Sequence, residues 1–236
     1  MSRERVVIIG ASGFGRECLD TVEAMQAAGA DVEIVGVIDD SPSMVNVDRL
    51  SARGIRLLGS IESFLAEGDK GVAYVVGIGS PEVRRRIVER LDVLGYAAFT
   101  AVHPAAVIGS QPSFADGVVV CAGAVVSTNV RLGRHVHINP NATIGHDAVL
   151  GDFVSVNPAA VISGEVTVGE ASLIGAASTI LQGLSVGARA VVGAGSVVTK
   201  DVPSTVVTKG VPARWPAVVV AQECEQGRSD ERADLA

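Results

Sequence analysis

The sequence predicts a small parallel α/β domain followed by a parallel β-helix. Two observations carry this reading. From Arg5 to about Phe99, short apolar runs alternate with amphipathic helical stretches, the pattern of a parallel sheet with crossover helices. After His103-Pro104 that alternation stops. Every sixth residue from Val102 to Val198 is then apolar, seventeen positions in one unbroken register, in a chain that is only 48% hydrophobic.

The elements of the first part follow in order. "RVVIIG" reads as a short buried strand ending in a glycine turn. In "GRECLDTVEAMQAAG" the apolar residues Cys18, Leu19, Val22 and Met25 share one helical face, with Gly29 as a C-terminal cap. "EIVGVID" and "YVVGIG" are further strands. "SPEVRRRIVERLDVLG" is a helix with Ser80 as N-cap and Pro81 in its first turn.

A six-residue meter fits neither a 3.6-residue helix nor a simple hairpin. It fits a β-helix with one short strand and one corner per hexad and three sides per 18-residue coil. Seventeen hexads make between five and six coils. The large aliphatics are expected at the corners, filling the prism. The residue two before each must be smaller, as at Ala142, Ala148, Ala160 and Ser172. The frequent following glycine, as at Gly109, Gly133, Gly145 and Gly151, is expected to tolerate a strained corner φ. The expected boundaries are residues 1–100 for the α/β domain, 101–200 for the β-helix, and 201–236 for a C-terminal extension whose charged end is frayed or partly helical.

Composition limits the function. Aromatics are only 3% and the net charge is −7, so nucleic acid is not an expected partner. No apolar stretch reaches the roughly 20 residues of a spanning helix. "MSRERVVIIG" passes from charged residues straight into a strand-like run, unlike a secretory leader. Cys18, Cys121 and Cys224 are odd in number and, taken as a set, too scattered for a disulfide or zinc framework. A cytoplasmic protein is expected.

Within "NATIGHDAVLGD" one position stands out chemically. His146 follows the apolar Ile144 by two residues, so it points away from the prism, and Asp147 is next to it. An imidazole, with an unperturbed pKa of about 6.5, suits proton abstraction near neutrality, and a neighbouring carboxylate can orient it. "GASGFG" (Gly10–Gly15) joins a strand to a helix, but its G-x-x-G-x-G spacing is not the dinucleotide fingerprint. By itself it reads as a tight turn with some anion affinity.

Taken together, the hexads, "GASGFGRE", "VIDD", "GIGSPEVRRRI", "IGHDAVLGDF" and "GVPARW" resemble the bacterial hexapeptide-repeat sugar acyltransferases. The likeness is to the nucleotide-sugar N-acetyltransferases of bacillosamine and perosamine type and to the sialic acid O-acetyltransferase-like group. It implies a left-handed β-helix and a homotrimer with sites between neighbouring β-helices. It also implies acetyl-CoA as co-substrate, a nucleotide-linked amino-sugar as acceptor, and no metal. By this resemblance His146 is the general base, Asp147 its support, and the Gly164 N–H the oxyanion donor one coil on. Ser12, Gly13, Asp39, Asp40 and Gly79 match loops that cradle the acceptor, with Phe14 where the relatives commonly have histidine. Asn139 matches a polar residue lining the site; the residues alone equally allow a stacked ladder with Asn157. For acyl-CoA the resemblance implies Ser155, Ala176, Ala194, Lys209 and Arg214, with Lys200 nearby. Ser155 stands where several relatives carry a second histidine, and it reaches less far and carries no charge.

Four other readings compete: O-acetylation of a sugar hydroxyl, a non-catalytic nucleotide-sugar-binding trimer, a metal enzyme using His135, His137 and His146, and an NAD-linked oxidoreductase built on the first domain. The His-x-His spacing and the irregular glycine pattern count against the last two.

Overall fold

The computed structural model describes residues 3–216. Cys224 and the expected frayed end lie outside the described residues. Three parallel strands, β1 (Glu4–Ile9), β2 (Val32–Ile38) and β3 (Val72–Val76), form a sheet in the order β2-β1-β3. Helix α1 (Gly13–Ala27) crosses from β1 to β2, and α2 (Met44–Ala52) and α3 (Ile61–Glu67) lie between β2 and β3. Helix α4 (Pro81–Val93) follows β3 and is capped as expected, with the Ser80 hydroxyl accepting from the Val83 N–H. The two helices between β2 and β3 were not anticipated from the apolar pattern.

Eighteen two-residue strands follow from Ala101, all parallel, stacked into three faces of seven, six and five strands. Register is 18 residues per coil: Thr143 pairs with Val125 and Val161, and Val149 with Arg131 and Thr167. The metered aliphatics from Val120 to Val198 are all buried and form one continuous core. Each such side chain contributes roughly 1.5–3 kcal/mol on burial. Val102, Ile108 and Phe114, at the open end, are only partly covered.

Two expectations need correction. The aliphatic is the second residue of each strand rather than a corner residue, as with Ile144 in Thr143–Ile144. The left-handed backbone falls three residues after it, at Asn129 (φ 58), Asn141 (φ 59), Asp147 (φ 60) and Phe153 (φ 61). The glycine directly after the aliphatic serves close stacking. A Cβ on Gly145 would run into the Ser163 carbonyl at 2.8 Å and the Gly164 backbone.

The α/β domain packs on the seven-strand face and on the corner leading into it. Ala101, Val119 and Cys121 of the β-helix join Cys18, Leu19 and Val22 of α1 in one core, and Phe153 and Ala171 join Tyr74 and Tyr96 in another. The six-strand face is left uncovered by the described residues. Its outward row is Val107, Val125, Thr143, Val161, Thr179 and Val197, with Val107 62% and Val161 36% exposed.

Candidate active site

His146 occupies the corner between the six-strand and five-strand faces. Its ring is half exposed, and Nδ1 lies 2.8 Å from Asp147 Oδ2. The other Asp147 oxygen accepts from the amide of Asn129, one coil below, at 2.9 Å. These two partners, His146 first, hold the Asp147 carboxyl below its ordinary range. A carboxylate there accepts a hydrogen bond from Nδ1–H, which keeps the proton on Nδ1 and leaves the Nε2 lone pair free. Gly164 stacks directly above. It is buried under the imidazole, and a Cβ on it would lie 2.6 Å from Cε1 and closer still to Nε2. Its N–H makes no hydrogen bond with the described residues.

The acceptor-side residues divide between two clefts beside the strand ends of the α/β domain. Gly13, Phe14, Gly79, Asn139 and Ser155 line one of about 230 Å³, together with Glu17, His137, Asn157 and Pro158. Ser12, Asp39 and Asp40 line the other, of about 340 Å³. The glycine loop explains itself residue by residue. Gly10 holds φ 112 and Gly15 packs on its carbonyl, so both are structural, whereas Gly13 faces open space. The Ser12 hydroxyl caps nothing. Asp39 accepts from the N–H groups of Ala11 and Ser41, and Asp40 from that of Ile61, so these carboxylates shape the loops. Phe14 rests on the ring of His137, with centroids 4.6 Å apart. Asn139 is nearly buried, and its amide donates to the Val156 carbonyl at 2.9 Å. It thus lines the cleft while bonding the next coil.

The donor-side set is not brought together in one chain. Ala176 and Ala194 stack on the corner between the seven-strand and six-strand faces, above Pro140 and Pro158. Lys209 approaches Gly193 on that same corner and pairs through its backbone with Arg214. Lys200 lies on the other corner, three coils above His146. The three cations therefore flank the six-strand face instead of forming a single cluster. Ser155 is buried among the acceptor-side residues, donating to the Gly79 carbonyl at 3.0 Å and accepting from Arg84 at 3.0 Å. Both its hydrogen-bonding capacities serve that contact.

His135 and His137 are buried against the α/β domain, away from His146, and their ring nitrogens have no hydrogen-bond partner among the described residues. Burial lowers both from the usual histidine value, His135 to about 4, so both are neutral. Among the described residues no three His, Cys, Asp or Glu side chains gather as a metal site would need. Arg84 also belongs to the cleft's surroundings, bonded to Gly79 and Ser155, and little in its sequence setting singled it out as a site residue. Its one signal was its place on the same helical stripe as Pro81, Val88 and Leu91.

Stacked hexads bearing an outward His–Asp pair define a hexapeptide-repeat acyltransferase. Comparison with known proteins narrows the class. Residues 5–91 match the PglD N-terminal domain, and residues 165–200 the hexapeptide repeat of succinyl-transferase. PerB from Caulobacter crescentus, solved with CoA and GDP-perosamine, is 28% identical with a TM-score of 0.80, covering 89% of this chain and 96% of that one. The acetyltransferase domain of PglB from Neisseria gonorrhoeae, solved with acetyl coenzyme A, is 29% identical with a TM-score of 0.81, covering 91% and 100%. WeeI from Acinetobacter baumannii is 26% identical with a TM-score of 0.77, covering 89% and 99%. Comparison with curated protein sequences gives no significant match. The chain thus carries a PglD N-terminal domain and a hexapeptide repeat, and over about nine-tenths of its length it is similar to sugar acetyltransferases of the hexapeptide-repeat kind.

Proposed function

We propose that this protein transfers the acetyl group of acetyl-CoA to the amine of a nucleotide-linked sugar. The relatives solved with CoA and GDP-perosamine and with acetyl coenzyme A support the two substrates. The observation that carries the reading is the His146–Asp147 pair, with Nε2 free beside a side-chain-less Gly164.

In this reading the sugar amine attacks the thioester carbonyl carbon while His146 Nε2 takes an N–H proton. The Gly164 N–H donates to the oxyanion, and Asp147 stabilises the imidazolium. Collapse of the tetrahedral adduct breaks the C–S bond, and the leaving thiolate receives the proton from Nε2. The products are the amide and CoA, without an acyl-enzyme.

A homotrimer belongs to the same proposal. The 230 Å³ cleft reaches one edge of the six-strand face at Asn157 and Pro158, and His146 stands at the other edge. That face carries exposed valines, and the cations suited to CoA phosphates lie at both its edges. Packing such faces around a threefold axis brings the base of one chain to the cleft of the next. No helix among the described residues is long and apolar enough to cross a membrane.

The test is CoA release from acetyl-CoA with UDP-, GDP- and dTDP-linked amino-sugars. At least one acceptor should be acetylated, and His146→Ala should lower kcat by roughly 10²–10⁴-fold. No release with any amine, or full activity in His146→Ala, would remove the proposal.

A further inference from the structure

Arg84 has no exposed surface, although it lies where α4 otherwise buries Pro81, Val88 and Leu91. A guanidinium has five N–H donors in a fixed fork. Here every one has an acceptor. Nε donates to the His135 carbonyl at 3.0 Å, and Nη1 to the carbonyls of Ile78 at 2.7 Å and Gly79 at 3.3 Å. Nη2 donates to the Phe153 carbonyl at 2.6 Å and to Ser155 Oγ at 3.0 Å. No carboxylate is among them. Burial draws the group down to about 9, which still leaves it charged at neutral pH.

A buried charge without a counter-ion is costly, and an apolar side chain would hold two domains together at less expense. A fork supplies direction, which hydrophobic contact does not. Two of the acceptors belong to the loop at the end of β3, and three to the β-helix. Ser155 closes the ring by donating back to the Gly79 carbonyl at 3.0 Å. The loop so fastened lines the 230 Å³ cleft at Gly79, and the β-helix lines the same cleft at Asn139 and Ser155.

We infer that Arg84 is a positioning residue for the sugar acceptor, setting the gap between the Gly79 loop and the β-helix through Ile78, Gly79 and Ser155. This rests on the proposed reading that the cleft receives the acceptor.

The experiment compares Arg84→Lys, Arg84→Met and Ser155→Ala with the wild type, varying acceptor and acetyl-CoA independently. Lysine keeps the charge and loses the fork; Ser155→Ala removes one of the five acceptors and the return bond to Gly79. Acceptor KM should rise about 10-fold or more in the Arg84 variants and about 3-fold in Ser155→Ala, with KM for acetyl-CoA within about 2-fold. Amide hydrogen exchange should quicken in all variants at Gly77, whose N–H donates to the Ile9 carbonyl, and at Val83, whose N–H donates to the Ser80 hydroxyl, the two bonded amides that flank the loop. An arginine serving stability alone would reduce the active fraction and leave both KM values unchanged, which would overturn the inference. Should neither Arg84 variant fold, Ser155→Ala decides, and an acceptor KM within about 2-fold of wild type again overturns it. Should the wild type acetylate no amino-sugar, the proposed function fails by itself. Exchange at Gly77 and Val83 then decides, and unchanged exchange in the variants counts against Arg84.

Discussion

His146 Nδ1 and Asp147 Oδ2 lie 2.8 Å apart although the residues are adjacent in sequence, and Asp147 makes this contact from a left-handed backbone, φ 60. The aspartate therefore has two duties, one conformational and one electrostatic, and substitutions can separate them.

Asp147→Asn keeps a residue type that tolerates φ > 0. Its amide would satisfy Asn129 with the oxygen and face His146 with the NH₂ group. Nδ1 must then accept, which moves the proton to Nε2, the nitrogen needed as base. Asp147→Asn should fold like wild type and lower kcat by about 10–100-fold with little change in either KM. Steady-state kinetics beside a melting curve checks this.

Two glycines on adjacent coils should respond oppositely to alanine. At Gly164 the atoms nearest the new methyl belong to the half-exposed His146 ring, which can swing into solvent and give up Asp147. Gly164→Ala should lower kcat about 10²-fold and leave Tm within a few degrees. At Gly145 the methyl meets the backbone of Ser163 and Gly164, which cannot yield. Gly145→Ala should cost about 1–3 kcal/mol of stability in denaturant unfolding.

This contrast also shows what was legible in the sequence. A six-residue meter has one structural solution, so Val102 to Val198 announced the β-helix, and His146 announced itself by breaking the packing pattern on an outward position. The reason for the glycines was not legible, because interstrand backbone distance leaves no trace in residue order; only coordinates show that Gly145 answers crowding while Asp147 carries the left-handed φ. Arg84 was hidden among three consecutive arginines, Arg84 to Arg86, whose burial depends on a partner fifty or more residues away. Ser155 was read from its spacing to His146, yet its bonding is decided by α4 and the Gly79 loop. Helices α2 and α3 are short, with few buried residues each, too few to set a helical period.

Acid should weaken the docking of the two domains. His135 is stacked between Tyr74 and Phe153, at centroid distances of 5.8 and 5.6 Å, and burial first, then the Arg134 and Arg84 charges, lowers it to about 4, against a smaller raising effect of Asp92. A histidine depressed in the folded state gives stability that is complete above the unfolded value near 6.5 and drains away as pH falls from there toward 4. His135 alone accounts for up to ~3 kcal/mol over that window. His137, lowered in the same direction, adds to it. Phe153 occupies the same corner one coil on with nearly the same φ, so an aromatic without a proton is tolerated there. His135→Phe should flatten the fall in Tm between pH 6.5 and 4.5, and an unchanged slope would remove His135 as its source.

The separation of His146 from the cleft makes the shared site testable by mixing. Gly13 faces open space at a φ that any residue adopts, so Gly13→Trp should fold and block the cleft while sparing the base. His146→Ala spares the cleft and removes the base. Each variant alone is expected to be inactive. Unfolded together and refolded at equal amounts, they should regain activity at about a quarter of the sites, namely those where an intact base from one chain faces an intact cleft from its neighbour. A site contained within one chain would recover nothing, because no chain in the mixture carries both parts. Val161→Lys, on the uncovered face, gives the companion result: a monomer by sedimentation, folded by circular dichroism, and without transferase activity.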